Sequence, residues 1–466
     1  MFCDYGGDMT FDPFIAATRF GTGLSPIHAL PASVADVVAD LQGVDTMARE
    51  IIIAPFATAT PSPAAFVTLR RAERAAETED DKTRTAAAVQ QWRADARTLQ
   101  YKNAMKTMAR SMAAPLGLRE RLTAFWADHF TAKGRNSLIR PMITPFIEEA
   151  IRPHITGSFV DMLIAVATHP VMLHYLQQVE SHGPASPRGL RRGKGLNENL
   201  AREMLELHSL GVEGRYEQTD VRELAELLTG LTYHPLSGFT FDDRMAEPGA
   251  ETVLGISYGP AASLNTIQTA IADLATHPDT SQHIARKLVV HFISDQPDEA
   301  LVASIAQVFQ QTDGDLLLCM TALLDHPAAW TADRAKVRPP IEFITASFRA
   351  LNVSPEAIIT ADQQTIRRWI ERPLRIMGQP FQDPVGPDGW PERPQDWIIP
   401  QTMAGRISWA MRAPKEFTDP LPDPRDFVRT ALGNAAPEAV IFAATSAERR
   451  SDGIGIILSA PAFQRR

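Results

Sequence analysis

The sequence predicts an all-α protein, built as stacked helical hairpins in one large helical body with long loops. Two observations carry this. Apolar residues recur at three- and four-residue spacing from end to end, while the strict alternation of a half-buried strand is scarce. Four segments also share one pattern, an apolar helix followed by a His-Pro or Ala-Pro step: Phe159 to Leu173, Ala270 to Ile284, Asp315 to Trp330 and Gly453 to Phe463. Proline cannot continue the incoming helix but suits the first turn of the next, so each step predicts a sharp helix-to-helix joint. The residue before proline is pushed out of helical conformation. At His169, His277 and His326 the imidazole is therefore expected to cap loose carbonyls at a joint, and not to bind metal.

Three regions follow in order: an N-terminal region, 1–115; a helical core, 116–350; and a C-terminal helical region, 351–466. In the first, the Ala-, Arg- and Gln-rich stretch from Ser62 to Met112 predicts one or two long, mostly exposed helices broken near Glu77 to Lys82. The core region carries the densest apolar periodicity. The last alternates helices with a Pro/Gly-rich loop, Gly378 to Trp397, whose Trp390 could grip a ligand and whose tryptophans could equally anchor the loop.

Composition narrows the function classes. A hydrophobic fraction of 44% with 22% charged residues is that of a folded globular chain and excludes wholesale disorder. The net charge of -9 argues against a nucleic-acid or anionic-membrane protein, both of which need a broad basic surface. Cys3 and Cys319 are too far apart in sequence for metal-ligand spacing or a disulfide framework. No apolar run has membrane-spanning length. The opening twenty residues carry acids where a signal peptide carries bases, so the expected location is cytoplasmic, with export beside a signal-bearing partner as the alternative.

The candidate chemistry centres on "NENLAREMLELHSLG", Asn197 to Gly211. At 100° per residue Asn199, Arg202, Glu203 and Glu206 share one arc of a helix, while His208 points to the apolar side. Two readings stand. One is a solvated face stitched by an Arg202–Glu206 ion pair. The other is a buried site in which Glu203 and Glu206 meet Glu223 from the next helix, with Asp220 and Glu223 shaped like a capping box at that helix's start. Three converging carboxylates need compensation by Arg202, by shared protons or by a divalent metal. His129 lies on the apolar stripe of Leu118 to Phe130, and is either a core histidine or the imidazole partner of Glu203 and Glu206. Before the polar helix, Arg188, Arg191, Arg192 and Lys194 sit among glycines, a composition suited to a solvated loop or to an anion site at a helix start. No Walker loop, nucleophile elbow, His-Glu-x-x-His pair or dinucleotide fingerprint is present.

On "RFGTG", "FWADHF", "LNENLAREMLELHSLGVEGRYEQTDVRELAELLTG", "HIARKLVVHFI", "KVRPPIEF", "GQP", "GWP" and the closing "SAPAFQRR", the sequence resembles the bacterial domain-of-unknown-function family numbered 1800, over nearly its whole length. The resemblance places Trp126, His129, Asn197, Glu198, Asn199, Arg202, Glu203, Glu206, Asp220 and Glu223 at signature positions. It also implies a neighbour, because members are often encoded beside sulfatase- and alkaline-phosphatase-like proteins, many with twin-arginine export signals. The chain departs from the family pattern at Gln177, Ala246 and Glu251, where relatives commonly carry Asp, His and Lys. Two functions are therefore expected. One is an enzyme with Glu203, Glu206, Arg202, Glu223 and His129 as its catalytic set. In it Glu203, Glu206 and His129 would hold a divalent metal, and Arg188, Arg191, Arg192, Lys194, Asn197, Asn199 and Trp390 would bind an anionic substrate. The other is a non-catalytic scaffold or chaperone for the phosphatase-like partner.

Overall fold

The computed structural model describes residues 11–134, 136–193, 195–260 and 262–466. Helix makes up 62% of it and strand 4%, so the protein is mostly all-α. No described helix is long and apolar enough to cross a membrane.

Two hydrophobic cores organise the chain. The first spans Ile15 to Trp330, with Phe20, Trp126, Phe130, Phe159, Phe292 and Phe309 among its fully buried side chains. The second joins Met105, Met108 and Met112 to Phe343, Phe348, Trp409 and Ile457. One helix links them. Glu79–Ala113 starts as a mostly exposed segment packed on Pro63–Ala75, and its C-terminal third is buried in the second core. The break between those two helices falls at 76–78, where Thr78 Oγ1 accepts the Asp81 amide at 3.1 Å and opens the long helix. The next helix, Leu118–His129, begins after Gly117 at φ 90°, where an added Cβ would stand 2.5 Å from Thr22 Oγ1. Only glycine suits that entry.

The His-Pro steps do form joints, but the rings work in the opposite direction to the one expected. His169 (ψ 137°), His277 (ψ 142°) and His326 (ψ 134°) are extended, which swings each imidazole forward over the outgoing helix. Each Nδ1 then accepts an amide two residues on, from Val171 at 3.1 Å, Asp279 at 3.1 Å and Ala328 at 3.2 Å. The imidazoles replace the usual Ser or Asp as N-caps and leave the carbonyls alone.

Two short antiparallel hairpins interrupt the helices. β1 (Leu231–His234) pairs with β2 (Gly238–Phe241), and β3 (Glu251–Val253) with β4 (Ile256–Tyr258). Strands of three or four residues are too short to leave a periodicity in sequence.

Candidate active site

The polar face of the helix is partly exposed, with Arg202, Glu203 and Glu206 each half-buried. Asn199–Glu203 continues as a π-helical turn, Met204–His208. Asn197 starts it by accepting the Asn199 amide at 2.9 Å, and Asn199 itself is exposed. Arg202, its side chain 38% exposed, reaches Glu198 at 3.0 Å, Glu206 at 3.2 Å and Gln218 at 3.0 Å. Charges satisfied at such exposure contribute little to stability. The widened turn rolls Met204, Leu205 and His208 into the core. Glu203 is half-buried; burial and the nearby Glu206 and Asp388 raise its carboxyl above the ordinary range.

Glu223 does not join Glu203 and Glu206. It accepts the Thr252 amide at 2.8 Å and stands with Glu226 and Glu251, their carboxylate oxygens all within 4.8 Å of one another. Burial, then Glu226 and Glu223, pushes the Glu251 carboxyl up to about 7. A retained proton there relieves the repulsion. Among the described residues this is the one cluster of three or more such side chains close enough to share a cation, so Glu203, Glu206 and His129 are not assembled as a ligand set. Asp220 is also not the cap of its helix. It sits three residues beyond Glu217, taking that residue's amide at 2.8 Å, and its other oxygen accepts the Leu254 amide at 2.7 Å.

The basic segment is not a loop throughout. Pro187–Arg192 is a short helix capped by Ser186, with Arg188 paired to Asp242 at 2.9 Å. Arg191 and Arg192 are exposed in its last turn, where cations suit the helix dipole. Lys194 lies outside the described residues.

His129 and His208 belong to the first core together with the less buried His283. His129 Nε2 lies 3.2 Å from the His208 carbonyl, its Nδ1 is buried without a partner, and its ring stands 6.2 Å from the rings of both His208 and His283. Burial, then the Lys287 ammonium, pushes His208 down to about 3, His283 to about 4 and His129 well below its usual range. All three are neutral core rings.

Strongly perturbed carboxyls meet instead where Leu118–His129 faces the loop Gly378 to Trp397. Asp128 Oδ1 accepts the Trp390 amide at 2.9 Å. At Gly389 (φ 83°) a Cβ would stand 2.6 Å from that oxygen, so glycine is what lets the loop backbone lie on the carboxyl. Burial pushes Asp128 up to about 7; Glu392 and Asp388 add to the shift, and the Trp390 amide and Lys287 oppose it. Trp397, 2% exposed, fastens the loop through Nε1 to the Pro391 carbonyl at 2.9 Å, leaving Trp390 to line the cavity.

Glu392 has the opposite fate. Burial works against its charge, but His291 Nδ1 at 2.6 Å and Lys336 Nζ at 2.9 Å hold its carboxyl well below the usual range. Lys336, 1% exposed, also pairs with Asp295. His291 Nε2 in turn lies 3.2 Å from Arg121 Nη2. Asp128, His291, Trp390 and Glu392 all line one cavity of about 200 Å³. Lys287 lies in the same field, its ammonium depressed by burial against the pull of Asp128, Glu392 and Asp388, and it makes no salt bridge among the described residues.

Sequence reasoning missed Asp128, Lys287, His291, Lys336 and Glu392. Each sits inside or next to a segment carrying the resemblance, and their convergence from across the chain is the signal that spacing alone lacks.

Comparison with known proteins gives one match: the family model described as "Protein of unknown function (DUF1800)" covers residues 15–465. No curated protein and no solved structure matches the chain.

Proposed function

The chain belongs to the DUF1800 family, and for this member we propose an acid–base enzyme whose proton-carrying group is Asp128. The observation that carries the reading is the pair of carboxyls on one cavity wall with proton affinities driven apart, Asp128 up to about 7 and Glu392 far down. Divergent carboxyl environments divide the acid from the permanent anion, and a group titrating near neutrality is matched to proton transfer. Because Asp128 Oδ1 accepts the Trp390 amide, the exchangeable proton belongs on Oδ2. Glu392 stays ionised and fixes His291 and Lys336 around the cavity. The catalytic centre thus moves from Glu203, Glu206, Glu223 and His129 to Asp128, with Trp390 retained as a cavity residue.

The test incubates native protein and Asp128→Asn with a fractionated small-molecule extract and follows depletion by mass spectrometry. Compounds consumed by native protein and spared by the variant support the reading, and their rate should show a limb near pH 7 that the variant lacks. Equal consumption by a folded variant refutes it.

A second reading, a non-catalytic subunit for a sulfatase- or alkaline-phosphatase-like partner, draws support from the exposed hairpin of Pro63–Ala75 with the first half of Glu79–Ala113. Partner capture lost on deleting that hairpin, with Asp128→Asn unaffected, would favour it.

A further inference from the structure

Adjoining the Asp128 cavity is a second one of about 120 Å³, and the wall they share includes Ala124, Ala127, Ile341, Glu342 and Gln382. Its lining is rich in buried arginine. Arg152 is fully matched, with Glu120 at 2.5 and 2.9 Å and Asp45 at 2.7 and 2.8 Å. Arg110 is matched at two nitrogens, Nη1 to Glu148 at 2.7 Å and Nε to the Ile51 carbonyl at 2.9 Å, while Nη2 is buried without a partner. Arg121 has Nη1 on Glu342 at 3.2 Å and a buried, unpartnered Nε. Arg338, 4% exposed, makes no side-chain hydrogen bond among the described residues, and its Nε is buried and unpartnered. Its guanidinium lies 5.4 Å over the Phe463 ring, and Gly23 leaves it room, since a Cβ there would come 3.3 Å from Nη1.

Carboxylates pair with Arg152, Arg110 and Arg121, but among the described residues none pairs with Arg338. Glu342 is the acid whose charge acts on Arg338, yet it is already shared by Arg121 and by Arg466 at 3.3 Å. A buried guanidinium without its own anion is costly, and structures rarely retain one without a compensating ligand. The planar fork of arginine matches oxyanions, and its donors are worth most where water is excluded. With a water occupying about 30 Å³, the space admits a group the size of a phosphate or carboxylate.

We propose that this cavity binds an oxyanion, held by Arg338 and Arg121, as the anionic end of a substrate whose other end enters the neighbouring Asp128 cavity. The site keeps the anionic substrate expected from sequence but moves it from the Arg188–Lys194 segment to Arg338 and Arg121. Only its catalytic meaning rests on the acid–base reading; anion binding stands by itself.

The experiment titrates the full-length protein with inorganic phosphate, with sulfate and with acetate, by calorimetry and, for phosphate, by ³¹P line broadening. Saturable binding is expected. Preference for phosphate or sulfate identifies a tetrahedral ester as the source, and preference for acetate identifies a carboxylate. Arg338→Gln should weaken binding by about tenfold to a hundredfold, the loss of one charged hydrogen-bonding partner. Arg338→Lys, which keeps the charge and is gentler on folding, should fall between. Exposed Arg191→Gln should bind like native protein. Asp128→Asn should also retain binding, so a chain that binds the anion normally but fails the depletion test loses the acid–base reading and keeps this one. Absence of saturable binding to native protein, or native affinity in folded Arg338→Gln, overturns the proposal. Loss of binding in folded Asp128→Asn does so too, because it moves the anion to the other cavity.

Discussion

The helix at Asn197 to Gly211 and the cleft at Asp128 hold similar inventories of acids and bases and use them differently. On the helix, Arg202 serves three partners at 38% exposure, and each charge keeps its water. In the cleft, Lys336 at 1% exposure and Glu392 depend on each other, and Asp128 is driven to about 7 because the loop covers it. Ionisable residues become chemically unusual through desolvation, not through their density in the sequence.

Four measurements would break or sharpen that contrast. Lys336→Met removes a fully buried ammonium from the partly buried Asp295 and Glu392, and should cost about 3–5 kcal/mol in urea unfolding; a loss as small as a surface substitution would erase the difference between the regions. Asp128 gives a pH signature. Its folded value of about 7 lies above the ordinary 3.8, so its contribution is fully present below about pH 4 and is lost as pH rises through about 7. The native-minus-Asp128→Asn stability difference should therefore fall by on the order of 4 kcal/mol across that window and stay flat above it. A flat difference throughout would show the carboxyl to be hydrated. Gly389→Ala combines positive φ with a Cβ against Asp128 and should cost about 1–3 kcal/mol while lowering the apparent pKa of Asp128 as the loop lifts. The smallest effect belongs to the helix: Arg202→Ala should cost below about 1 kcal/mol and shrink further in high salt.

Much of the architecture was legible. Helical periodicity, the proline joints and a break in the long Ala/Arg-rich stretch all depend on neighbours in sequence and could be read there, although the break expected near Glu77 to Lys82 falls at 76–78. What a joint's histidine does was not legible, because the direction of the ring follows from the extended backbone at His169. Nor was the π turn at Met204–His208, which moves the helix off the ideal 100° wheel. The site was legible only as fragments. "FWADHF" drew attention to His129, the ring, while the shifted acid was its neighbour Asp128. That shift depends on Trp390, 262 positions away, and no local spacing encodes the burial it brings. The loop's two tryptophans divide the two uses anticipated for them: Trp397 anchors, and Trp390 faces the cavity.

The two cores bear on how the chemistry comes into being. Asp128 and His291 lie on helices packed into the first core, whereas Arg338, Trp390 and Glu392 come from the chain that runs into and through the second. Neither half, folded alone, would own a cavity wall with both carboxyls. The site is a seam, and a seam exists only once both sides have met. The Asp128 carboxyl precedes Trp390, in the loop that covers it, by 262 positions, so the environment that shifts it is complete only when that loop is in place. On the acid–base reading proposed above, proton transfer would wait for that joining, and a chain that misjoins its two cores would be inert rather than misdirected.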